Sequence, residues 1–212
     1  MKNCGLCCVV WQVLQSACRE RALPAPTADL LLLEASVRFA ACPSHPISVL
    51  SPLLRCLAVA GGAETGATFA LPRHHALALV QLGGFYLQLG YAKHATALIR
   101  GAMPKIMEHA SAAERGKAML LLAKCQLTQL HQVIAKLSQQ LHQAILRQVT
   151  RSLECALRYL GDGFGSREDL CEATYLLART YAALPLQTPE SASKCEAAAA
   201  SFLNLRVAVA AS

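Results

Sequence analysis

Aromatic residues make up only 5% of this chain, with a single tryptophan, and β-branched side chains are comparatively few. Both types favour strands, so their scarcity argues against a β-rich fold. Charge is scarce as well: 16% of residues are Asp, Glu, Lys or Arg, against 54% that are apolar. So much apolar surface, over 212 residues, demands burial in a sizeable core and argues against extended disorder. No uncharged apolar run reaches the ~18 residues that a membrane span needs. No run of lysines and arginines interleaved with aromatics occurs either. The formal charge of +7 is therefore spread along the chain, which argues against a nucleic-acid groove, and an acidic face on a protein partner fits the charge equally well.

What is abundant is alanine and leucine, the composition of helices packed closely through small side chains. The ten cysteines look at first like a disulfide framework. However, Cys56, Cys125, Cys155, Cys171 and Cys195 lie within helical patterns, where cysteine behaves as a small apolar core residue. A reducing compartment follows. At the N-terminus, Lys2, the apolar stretch Gly5 to Val10 and the segment Leu14 to Cys18 faintly resemble an export signal. The apolar stretch is short, and the leucine stands one residue too far from the cysteine. The chain is expected not to be secreted.

The punctuation along the chain is regular. Pro24 to Thr27 reads as a break, Asp29 to Ala40 as a helix, Cys42 to Pro46 as a turn and Ile47 to Ala60 as a second helix. Gly61 to Gly66 is the loosest linker. Pro72 to Leu89 is a third helix, closed by Gly90 at its C-terminal cap. Helices follow over Ala92 to His109 and Ala112 to about Leu127. His131 to Leu160 is one long helical pattern or two short ones. Gly161 to Ser166 is a loop, and Arg167 to Leu184 and Glu190 to about Val209 complete the series. Short turns within pairs and longer links between them describe helical hairpins stacked in a row.

The spacing is more specific than the stripes. Leu79, Leu82-Gly83, Tyr86, Gly90, Ala95, Ile99, Ala102 and Met107 fall at the offsets of the tetratricopeptide pattern of about 34 residues. Gly83 and Ala95 are small enough for two helices to approach, Tyr86 fills the space beside them, and Leu82 and Ile99 lie on buried stripes. Ala102 leaves room for the next repeat. Met119, Leu122, Ala123 and Cys125 restart the first-helix pattern, and Leu153, Ala156 and Tyr159 supply a second-helix face. Leu177-Ala178 and Tyr181 repeat the spacing of Leu82-Gly83 and Tyr86, and upstream Val49, Leu53, Cys56 and Leu57 match the second-helix stripe. The expected fold is all-α: a right-handed superhelix of about four stacked hairpins. Residues 1–26 would be an N-terminal helix or partial repeat, followed by repeats over 27–61, 72–110, a widened 112–160 with a long second helix, and 167–209.

No candidate site assembles chemistry. Cys4, Cys7 and Cys8 contain a C-x2-C pair without a second pair at zinc spacing, and His74-His75 is remote in sequence. Gly161, Gly163 and Ser166 fall short of a dinucleotide fingerprint and follow a helix, not a strand. Lys124 could lower the thiol pKa of Cys125, but burial opposes it. His131 and His142 are three helical turns apart in one helical pattern, too far for one metal. Glu168, Asp169 and Glu172 read as an acidic first turn that caps a helix. The sequence assigns no catalytic, cofactor-binding or metal-binding residue, no small-molecule substrate, and no particular partner-binding residue. Arg73, Lys117 and Arg179 are candidates for a carboxylate clamp in a concave peptide groove, the alternative to a scaffold role, although they are scattered.

The stretch Glu114 to Gln126, Glu-Arg-Gly-Lys-Ala-Met-Leu-Leu-Leu-Ala-Lys-Cys-Gln, closely resembles the C-terminal repeats of the subunit 5 family of the anaphase-promoting complex (the cyclosome). Leu53 to Ala58, Ala102 to Ile106, Leu153 to Tyr159 and Tyr175 to Tyr181 agree in the same order, so the similarity runs from roughly Leu14 to Leu205. The resemblance implies a non-catalytic scaffold of a ubiquitin ligase that drives exit from mitosis, nuclear and also cytoplasmic. Its implied partners are subunits 1, 4 and 15 and the ligase's other repeat subunits. Family members are several times longer, so this chain corresponds to their last repeats. Leu127 to Arg151 diverges, with glutamines and histidines where the family has another linker. An array cut short exposes apolar surface, and the hairpin around Leu30 to Leu33 is expected to be sticky in isolation.

Overall fold

The structure, a computed structural model, describes residues 24–41, 46–61, 71–133, 138–161, 165–184 and 189–210. Among them the fold is all helical, without a strand. In chain order the helices are α1 (Pro24–Ala41), α2 (Leu50–Ala60), α3 (Pro72–Gln88), α4 (Ala92–His109), α5 (Ala112–Val133), α6 (Gln139–Gly161), α7 (Arg167–Ala183) and α8 (Pro189–Ala210), with a 3-10 turn over Pro46–Val49 before α2. The early cysteines Cys4, Cys7 and Cys8, the N-terminal segment 1–23 and most of the predicted 61–66 linker lie outside the described residues.

The chain divides into two compact units, Met1–Leu89 and Gly90–Ser212. The division falls inside the 72–110 segment that the sequence spacing marks as a single repeat.

In the first unit, α1, α2 and α3 pack on one another. Leu31, Leu53, Cys56 and Ala60 are fully or almost fully buried, and Ala28 and Ala35 let α1 come close. The Cys56 thiol reaches the Ala28 carbonyl at 3.7 Å. On the rim, Asp29 accepts from His74 Nε2 at 2.9 Å and faces Arg73 at 3.6 Å. Helix α1 starts at Pro24, where the sequence suggested a break: Pro24 and Pro26 occupy its first turn, whose N–H groups have no intrahelical partner to lose. The expectation for Leu30 to Leu33 divides residue by residue. Leu31 and Leu32 are buried, whereas Leu33 is 53% exposed and Val37, one turn on, 56% exposed. At the far end of the unit, α3 stops at Gly90, whose φ of +84° is the left-handed conformation that ends helices and that glycine adopts freely.

In the second unit each helix packs on the next, α4 on α5, α5 on α6, α6 on α7 and α7 on α8, with α5 also touching α7. Opposed contacts show that neighbours run antiparallel. Gln129, late in α5, donates to Ala92 O at 2.8 Å and to Thr96 Oγ1 at 2.7 Å, early in α4. Gly116, early in α5, meets Leu160 at the end of α6. A continuous core of Leu120, Ala123, Val149, Leu153, Ala156, Leu160, Ala173, Leu177 and Tyr181 runs from α5 to α7. Ala95, Ile99, Ala102, Leu153, Ala156, Leu177 and Tyr181, all singled out by spacing, are buried.

One boundary differs from the expectation. Helix α5 continues to Val133 instead of ending near Leu127, and α6 begins at Gln139, so the 131–160 pattern divides between two helices. The extra residues of the widened repeat therefore lengthen both helices. They also have a local use: Gln129 and Gln132, in the divergent segment, tie down the start of α4, Gln132 through the Gly90 carbonyl at 3.1 Å. Helix α4 covers the expected span to His109, with Pro104 lying exposed inside it.

Candidate interaction surface

The second unit carries a face built by α5, α7 and α8. Ser166 starts α7: its hydroxyl accepts from the Asp169 amide at 3.1 Å and donates to the Asp169 carboxylate at 2.6 Å. This side-chain cap anchors the first turn, and it places Asp169 and Glu172 toward α5. There Lys117 lies 3.4 Å from Asp169, and Lys124 lies 2.6 Å from Glu172. The expected capping role of the acidic turn holds for Asp169, and the same carboxylates also pair across helices. These pairs are partly exposed and add little stability. They fix the charge pattern of the face.

Further along α7, Tyr175 is 41% exposed and meets Phe202 of α8 with ring centroids 5.2 Å apart. The Arg179 guanidinium stands over the Tyr175 ring, 5.5 Å from its centroid, within range of a cation–π attraction. Glu168, Cys171, Glu172, Tyr175, Phe202 and Arg206 line an open groove of about 460 Å³ between α7 and α8.

Each clamp candidate has its own local setting. Arg73 lies in the first unit beside Asp29, Lys117 is paired with Asp169, and Arg179 covers Tyr175. The lysine at Cys125 does not activate the thiol. Burial dominates and pushes the pKa up to about 11, against smaller lowering effects of a hydrogen bond to the backbone, Lys124 and Thr96. Cys56, buried and near Asp29, is pushed up to about 12. Both thiols are protonated near neutral pH, when only the thiolate is a nucleophile. His131 and His142 stand on different helices, α5 and α6. Among the described residues no group of three or more His, Cys, Asp or Glu side chains could hold a metal, and no helix is long and apolar enough to cross a membrane.

The chain matches no protein-family model and no curated protein. This surface presents paired charges, an aromatic pair and a shallow apolar groove. Sequence reading missed the groove. Phe202, Leu203, Arg206 and Val207 recur at one-turn spacing on α8 and could have marked an outward stripe. Nothing in the spacing says which face of α7 is left for Tyr175.

Proposed function

We propose that this chain is a non-catalytic scaffold subunit, or a fragment of one, of the anaphase-promoting complex (cyclosome) ubiquitin ligase. It supports cell-cycle protein ubiquitination in the nucleus by holding other subunits, chiefly 1, 4, 15 and the ligase's repeat subunits. Its helices continue the tetratricopeptide pattern as about four hairpins of a right-handed superhelix. One observation carries the reading. The stretch Glu114 to Gln126, which carries the resemblance, is the part of α5 that meets three other helices. Gly116 abuts Leu160 of α6, Cys125 neighbours Thr96 of α4, and Lys124 pairs with Glu172 of α7. Residues doing that work are constrained by stacking, as a scaffold requires. The inert setting of Cys125 is in keeping with a chain that transfers no ubiquitin itself.

Affinity purification of the tagged chain from dividing cells, with mass spectrometry of what co-purifies, tests this. Recovery of cyclosome subunits, 1, 4 and 15 above all, is the expected result. Recovery of chaperones alone would leave the scaffold role of this chain without support.

A further inference from the structure

The second unit already contains one filled groove and one open one. Helix α7 lies against α5 and α6 through an apolar stripe, Ala173, Leu177 and Tyr181, while its acidic flank, Asp169 and Glu172, meets the basic residues Lys117 and Lys124 of α5. The next groove, between α7 and α8, has the same ingredients. Its floor is Cys171, Tyr175 and Phe202, and its two walls carry opposite charges, Glu168 on α7 and Arg206 on α8. Among the described residues no ion pair joins these two charges to each other or to a third group. Beside the groove, Leu203 and Val207 of α8 are 60% and 70% exposed, one turn apart on the same side as Phe202 and Arg206.

We infer that the α7–α8 groove receives an amphipathic helix of a partner protein, with an apolar stripe seated on Tyr175 and Phe202, a basic flank toward Glu168 and an acidic flank toward Arg206. The opposite walls set the direction of that helix. Turned end for end with its apolar stripe still down, a helix exchanges its flanks and presents each wall with a like charge, which costs affinity. The inference does not rest on the ligase assignment, because it uses only the charge and shape of this groove.

The probe is a fluorescein-labelled, stapled helical peptide with leucines on one stripe, lysines on one flank and glutamates on the other. Binding to the full chain is read by fluorescence anisotropy. The peptide with Lys and Glu exchanged should bind at least about tenfold more weakly. The double variant Glu168→Lys, Arg206→Glu should reverse that preference. Leu203→Glu, at a well-exposed position, should abolish binding with the circular dichroism spectrum unchanged. Equal affinity for both peptides, no binding of either, or indifference to these substitutions overturns the inference. So does sedimentation showing a dimer of the chain that the same substitutions dissolve, because the groove would then hold a second copy.

Discussion

Gly116 lets α5 approach α6 closely. A Cβ there would stand 2.7 Å from Leu160 Cγ and 3.3 Å from the Ala156 carbonyl, and Leu160 is fully buried and has little room to yield. Gly116→Ala should therefore destabilise the chain by about 1–3 kcal/mol despite its better helix propensity. Gly101, inside α4 with open space around it, supplies the contrast: Gly101→Ala should stabilise by up to about 1 kcal/mol. Urea denaturation of the two variants measures both, and equal effects would sink the packing argument. Cys125 makes a second residue-level claim. Its folded pKa is raised from 9.0 to about 11, so between those values the unfolded chain loses a proton that the folded chain keeps. Its contribution to stability is then intact below pH 9 and falls as pH climbs toward 11. Cys125→Ala removes that dependence, so the stability gap between wild type and variant should narrow over this range. A gap independent of pH would mean that the thiol is not desolvated as the packing implies.

Side chains cap the starts of α5 and α7. Ser111 and Glu114 form a reciprocal capping box before α5, with Glu114 accepting from the Ser111 amide at 2.8 Å, and Ser166 caps α7. Ser111→Ala and Ser166→Ala should each cost about 1 kcal/mol. Ser166→Ala should also loosen the Lys117–Asp169 pairing, visible as a changed Lys117 environment by NMR; unchanged shifts at Lys117 would show that the cap does not orient Asp169. At this scale much was legible in advance. Helix α4 occupies the span Ala92 to His109 that alanine spacing and the flanking turns mark out. The stop of α3 at Gly90 was legible because only a small set of residues takes a left-handed φ easily. The end of α5 was not. Between Gln126 and Arg151 the sequence has neither glycine nor proline, and every residue there tolerates a helix, so local signals carry no break. Where α5 yields to α6 is decided by tertiary contacts, with Gln129 and Gln132 held against the start of α4. The α7–α8 groove was hidden for a similar reason. Periodicity shows that α7 has buried faces, but three neighbours compete for them, and only packing leaves Tyr175 outside.

For the whole molecule, the placement of the core makes the sharpest claim. Every member of the α5–α8 cluster, from Leu120 to Ala198, lies within residues 90–212, and the main packing partners of each helix there are its own neighbours. The first unit buries Leu31, Leu53 and Cys56 among α1 to α3 and leaves Leu33, Val37, Ile47 and Leu54 more than half exposed. Apolar area kept in water contributes nothing to folding and favours association. Residues 90–212 expressed alone should thus be helical and unfold cooperatively, whereas residues 24–89 alone should associate, and Leu33→Glu with Val37→Glu should suppress that association. In the full chain, thiol labelling during urea unfolding separates the two units. Gly116→Ala should advance the exposure of Cys155 and Cys195 to lower urea while leaving Cys56 where it was. If Cys56 shifted by the same amount, the units would unfold as one cooperative body, and a break at Leu89–Gly90 would carry no energetic meaning.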